Sequence, residues 1–235
     1  MIPLTDLQPN RYTSFPFMTM FIILLNMIAL IAQVMLLEFN QDLYYKSIYL
    51  LGSVPAFVMD QVGGGALTSI TSTFMHYDQT GGIFHLAGNM LALWAFAQRV
   101  EDACGHWRFL AFYLTCGVVA DIISIMSRST ESIPGIGASG AVYGIMAAYL
   151  ILFPGGKIKV LLFWGFGFAR IPIRAYWVIL FFFLKEIPNA LDVLLRNVDS
   201  NIAHWAHLGG FFAGTLIFLF LRPDAFHRFR NELPL

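Results

Sequence analysis

Residues 134–154 read PGIGASGAVYGIMAAYLILFP: a serine among glycines and alanines, then an unbroken apolar run. From Ala141 to Phe153 the only hydroxyls are those of Tyr143 and Tyr149, and there is no charge. Such a run suits a helix buried in a bilayer or in a protein interior. Its first turn is the unusual part. Gly137, Gly140 and Gly144 leave little side-chain bulk around Ser139, at the point where a helix heading into an apolar medium gains nothing from a hydroxyl.

The rest of the chain says which medium that is. Of 235 residues, 58% are apolar and 12% charged, with 23 phenylalanines and zero formal net charge; the mean hydropathy is +0.69. Soluble domains are about half apolar and about a quarter charged, so the composition is that of an all-α polytopic membrane protein. Hydropathy windows of about 20 residues predict six spans, at 15–37, 84–101, 107–127, 137–153, 175–195 and 203–221, as a single domain over 1–235. Residues 38–83 form a long first loop, apolar in patches and interrupted at Gly63-Gly64-Gly65, expected to lie partly in the membrane interface. No internal repeat suggests an inverted-repeat transporter. With the N-terminus inside, ten of the fourteen Lys and Arg residues fall on the cytoplasmic side, which predicts N-in/C-in with cytoplasmic tails at 1–14 and 222–235.

Neutral net charge without a basic run gives no footing for nucleic acid. Cys104 and Cys116 make neither a disulfide framework nor a metal-ligand spacing and read as buried or reduced thiols. The polar opening with its single Arg11, followed by an apolar run too long for a signal peptide, predicts a retained first span. The stretch also lacks the Arg-rich amphipathic character of a transit peptide, which favours a bacterial-type plasma membrane.

Polar groups inside spans are costly and are functional candidates by default. His85 and Asn89 lie four apart on span two, Ser139 and Tyr143 four apart on span four, and His204 and His207 three apart at the start of span six. The predicted topology starts all three spans at the outer face, which puts these groups at similar depth. The small-residue stripes Gly140/Gly144 and Ala206/Gly210/Gly214 would let spans four and six approach closely. An imidazole beside a serine can take its proton during attack. N–H groups at the start of span four, with His85 and Asn89, would suit an oxyanion. Three other readings stay open: a helix-packing serine, a polar transport path, or a metal held by His and Asn. Against the metal, no carboxylate is seen near the cluster, since Asp121 is placed near mid-membrane. Against transport, MAAYLILF and TLIFLFL turn wholly apolar below it.

The motifs resemble those of the rhomboid intramembrane serine proteases. GIGASGAVYG resembles the family's Gly-x-Ser-Gly motif, IAHWAHLGGFFAG its Ala-His-x-x-Gly signature, and FHLAGNMLALWAFAQRVEDACG its His-x-x-x-Asn helix leading to Val-Glu-Asp. MIPLTDLQPNRYTSFP is similar to the start of bacterial members. The resemblance implies a six-helix rhomboid-like bundle, with Ser139 as nucleophile and His207 as general base in a dyad without an Asp. It also implies an oxyanion hole from the Ser139 N–H, His85 and Asn89, with Tyr143 packed by the base and Gly137 and Gly210 as close-packing glycines. Substrates would be transmembrane segments of other proteins, cut near the outer face, with the lipid bilayer as the other partner. No metal or organic cofactor is implied, and the oligomeric state is left open. Inactive relatives that bind transmembrane clients are the alternative.

Two departures stand out. His76 precedes His85 by nine residues rather than five, with YDQT apparently inserted, and the Trp-Arg pair often found in the first loop is absent. His204 reads as incidental. The run LFFFLKE in span five reads as part of the wall a substrate moves past.

Overall fold

A computed structural model of the chain describes residues 1–11, 15–62, 65–76, 81–164, 167–196 and 203–221. In order they form β1 (Ile2–Asp6), α1 (Phe17–Phe39), α2 (Gln41–Leu51), α3 (Pro55–Met59), α4 (Thr68–Thr71), α5 (Gly82–Cys104), α6 (His106–Ser127), α7 (Ser139–Leu152), β2 (Lys157–Trp164), β3 (Gly167–Arg174), α8 (Ala175–Arg196) and α9 (His204–Leu221). A helix lies over each of the six predicted segments. Two of them, α1 and α6, are long and apolar enough to cross a membrane by length and composition, and α7 is a shorter apolar helix. The predicted 222–235 tail, the YDQT insertion and Gly63-Gly64 lie outside the described residues.

α1 shows its surroundings by an inverted pattern. Its buried stripe at helical spacing is Thr19, Ile22, Asn26, Leu30 and Gln33, while Phe17, Phe21, Leu24, Ile28, Ile31 and Met35 are exposed. A helix that turns polar groups inward and a continuous apolar face outward is matched to lipid, not water. The inward polar groups find partners. Thr19 donates its N–H and hydroxyl to Glu101, at 2.8 and 2.6 Å. The Asn26 amide donates to the Ile22 carbonyl at 2.8 Å.

The expectation of an all-α chain is corrected. Residues 157–174, between the fourth and fifth predicted spans, form the antiparallel pair β2–β3, and β1 adds to β2, giving the order β1-β2-β3. The physical signal is the alternation at the start of β2, where Ile158 and Val160 are buried and Lys157 and Lys159 exposed. Pro172 is tolerated because β3 is an edge strand. The sheet is tied to the bundle where α5 and α7 end. Asp6 accepts from the Tyr149 hydroxyl at 2.7 Å and lies 3.7 Å from the Arg99 guanidinium, which stacks 4.1 Å from the Phe153 ring centroid.

At the centre stands α7, buried from Gly140 to Tyr149. It runs parallel to α9 with almost no space between the backbones. A Cβ added at Gly210 would overlap the Gly140 carbonyl, and one at Gly214 would overlap the Gly144 carbonyl. In place of side-chain interdigitation, backbone meets backbone. Gly214→Val should therefore destabilise the protein by about 3 kcal/mol, whereas Gly88→Ala, with nothing within 4 Å of the added Cβ, should not lower stability. Unfolding in detergent followed by circular dichroism separates the two.

Candidate active site

α5, α7 and α9 all begin at the end of the bundle opposite the sheet, and the candidate side chains lie within the first eight residues of each. The approach to α7 is pinned. Ser53 and Gly135 exchange backbone hydrogen bonds of 3.0 and 2.7 Å, and the Gly137 N–H donates to the Ser72 carbonyl at 2.9 Å. Gly137 adopts φ +128°, and a Cβ there would stand 2.7 Å from the His85 ring. Only glycine meets both conditions without strain. Ser139 then opens the helix. The preceding Ala138 provides no side-chain cap, so the first-turn N–H groups of α7 have no intrahelical acceptor.

Ser139 and His207 are in contact: Nε2 of the imidazole lies 2.8 Å from the serine Oγ. The Tyr143 ring stacks on the His207 ring, with centroids 4.5 Å apart and planes 7° from parallel. A cavity of about 40 Å³, about the space of one water, is bordered by Ser139, Gly137, Ala206, Ser72, Ser124 and Asp121. The expectation that Asp121 stands away from this cluster is corrected. It accepts hydroxyl hydrogen bonds from Ser53 and Ser69, at 2.7 and 2.6 Å, and lines the same cavity as Ser139.

His85 and Asn89 form an adjacent group with His76. The Asn89 amide nitrogen faces His76 Nε2 at 3.1 Å, and the His76 and His85 rings meet edge-on at 5.2 Å. The His76 backbone N–H donates to the Gln33 side chain of α1 at 2.8 Å. An amide N–H can only donate, so His76 accepts at Nε2 and holds its own proton on Nδ1. His85 is exposed beside Gly137; no direct hydrogen bond joins His85 or Asn89 to Ser139 among those described.

The sequence reading carried Glu186 only as the end of the LFFFLKE wall and gave it no part in the site. This carboxylate on α8, 2% exposed, accepts from the Tyr143 hydroxyl at 2.8 Å and from His204 Nδ1 at 2.5 Å. His207 Nδ1 lies 3.0 Å from the same oxygen, Oε2, though not aligned as a hydrogen bond. Two readings are thereby corrected. His204 does not stand alone but is bonded to Glu186, and the cluster does contain a carboxylate. An ionisable residue inside a predicted span was the available signal, hidden because Glu186 closes an aromatic run. Among the described residues, Glu186, His204 and His207 form the group that could hold a metal ion, with ligand atoms within 4.8 Å of one another.

The Rhomboid domain family model matches residues 63–224. Over 150 residues the chain is 32% identical to the human presenilin-associated rhomboid-like protein, mitochondrial, which covers 60% of this chain and 34% of that protein. It is 32% identical over 155 residues to the Saccharomyces cerevisiae protein called Rhomboid protein 1, mitochondrial, covering 64% and 40%. It is 35% identical over 139 residues to Rhomboid protease GluP of Bacillus subtilis, covering 57% and 22%. The match thus spans about a third of the length of the mitochondrial relatives and less of the Bacillus one.

Burial, with His85 nearby, pushes His76 down from 6.5 to about 3. The folded protein then binds fewer protons than the unfolded chain between those values. The stability held by neutral His76 is complete above about pH 6.5 and is lost as pH falls toward 3, at about 1.4 kcal/mol per pH unit. His76→Gln should flatten the acid limb of a stability-versus-pH curve; an unchanged slope would contradict the buried neutral assignment.

Proposed function

This chain belongs to the rhomboid family of membrane proteins, and from that premise we propose that it is an intramembrane serine peptidase acting on transmembrane segments of other proteins. The observation that carries the reading is the 2.8 Å contact between Ser139 Oγ and His207 Nε2 at the open start of α7. His207 takes the Ser139 proton as Oγ attacks the scissile carbonyl. The developing oxyanion lies against the unpaired N–H groups of the first turn of α7, with His85 beside them and Asn89 held by His76. His207 then protonates the leaving amine. Water repeats the sequence on the acyl-enzyme.

A backbone amide inside a stable helix is shielded, so the scissile segment must unwind, which favours small residues near the membrane surface. The core beyond the dyad supports hydrolysis over transport: Ile145, Met146, Ala148 and Leu152 are buried in one apolar cluster and offer no polar path along α7 among the described residues. Read as six spans with both termini inside, the helices support a dyad opening toward the outer face of a bacterial-type plasma membrane. The mitochondrial relatives favour a mitochondrial membrane as the second reading of location.

The test is cleavage of a single-span reporter in proteoliposomes. Wild type should cleave, and Ser139→Ala and His207→Ala should each lower the rate by about 10⁴-fold or more with unchanged insertion. Undiminished cleavage by Ser139→Ala would overturn the dyad. Reporter capture without cleavage by wild type would favour a non-catalytic client-binding protein.

A further inference from the structure

We propose that Glu186 is a positioning residue for the same reaction, converting the Ser139–His207 pair into a Ser–His–Glu arrangement; the inference rests on the peptidase reading above. Nothing in the motifs around Ser139 or His207 points to this residue. It reaches them only through the packing of α8 against α7 and α9.

A carboxylate buried in an apolar bundle persists only where donors surround it. Glu186 has them from both facing helices, the Tyr143 hydroxyl on Oε1 and His204 Nδ1 on Oε2, and His207 Nδ1 stands 3.0 Å from Oε2 without the alignment of a hydrogen bond. The Lys185 ammonium, half exposed, lies 3.4 Å from Oε1. These four groups face Glu186, and the His85 ring lies against Gly137.

The consequence falls on the tautomer of His207. A neutral imidazole carries one N–H. Beside a carboxylate that proton belongs on Nδ1, which leaves the Nε2 lone pair facing the Ser139 hydroxyl, the form a general base needs. When Nε2 takes the serine proton, the ring becomes an imidazolium whose Nδ1–H faces Glu186. No proton passes to the carboxylate, and the Nε2 proton goes on to the leaving amine.

Tyr143 serves the same end twice, stacking on the His207 ring and donating to Glu186. Ring plane and ring direction are therefore fixed by one tyrosine and one carboxylate. His204 holds the aligned bond to Oε2, so it orients the carboxylate that orients His207.

The experiment compares wild type, Glu186→Gln and Glu186→Asp in the reporter assay, with thermal unfolding of each. Glu186→Gln keeps the volume and an acceptor for Tyr143 but loses the charge. It should lower kcat about 100-fold or more with KM within about twofold and the fold intact, and Glu186→Asp should recover part of the loss. Equal kcat for Glu186→Gln and wild type would overturn the positioning role while leaving the dyad standing. So would a kcat loss in all variants that tracks unfolding, or wild-type activity that a chelator abolishes and zinc restores, which would make Glu186, His204 and His207 a metal site. A wild type that neither cleaves nor is phosphonylated at Ser139 would overturn the peptidase reading, and this inference with it.

Discussion

The site depends on how closely α7 and α9 approach. Gly140 and Gly144 on one helix meet Gly210 and Gly214 on the other so tightly that a methyl group at either α9 glycine would enter a carbonyl of α7. Apolar burial gives helices in lipid little reason to associate, and close backbone contact supplies the attraction instead. Ser139 lies one residue before Gly140, and His207 three before Gly210, so the approach that binds the helices also brings hydroxyl and imidazole together. Gly137 repeats the device toward α5, where its lack of a side chain lets His85 come up to the start of α7.

Polar groups are segregated along the bundle. At the sheet end, Asp6, Arg99 and Tyr149 join strand to helices, and Glu101 holds the first turn of α1 through the N–H groups of Met18 and Thr19. At the other end stand Ser139, His207, Glu186, His204, Asn89 and His76. Between them α7 is apolar, with Ile145, Met146 and Ala148 buried along it, and Asn26 of α1 is a buried polar group in between. Most of these groups have at least one hydrogen-bonding partner, which lowers the cost of keeping them out of water, although Nδ1 of His76 and Nε of Arg99 are buried without one. Their separation confines any reaction to one end of the molecule.

Much of this was legible in the sequence because hydrophobicity and helical spacing carry it. Six apolar segments foretold six helices, and the serine, histidine and small-residue stripes sat at offsets that one helix face must share. What escaped was set by tertiary structure. The Lys157–Val160 alternation is short and basic, and it reads as a loop until β1 from the distant N-terminus pairs with it. Glu186 stands far from Ser139 in the chain and follows three phenylalanines, and no periodicity ties it to α7 or α9. The rule that singled out His85 and His207, an ionisable group inside a span, applied to Glu186 with equal force. His204 looked incidental because its meaning depends on Glu186, which the sequence left unconnected.

The central claim is that the α7–α9 contact makes Ser139 a nucleophile activated by His207. The most direct measurement is reaction of the membrane-embedded protein with a fluorophosphonate, followed by mass-spectrometric mapping of the adduct. The account predicts a single stoichiometric adduct on Ser139 that is lost in His207→Ala while the fold persists. An adduct elsewhere, or labelling of Ser139 that proceeds at the same rate without His207, would contradict it.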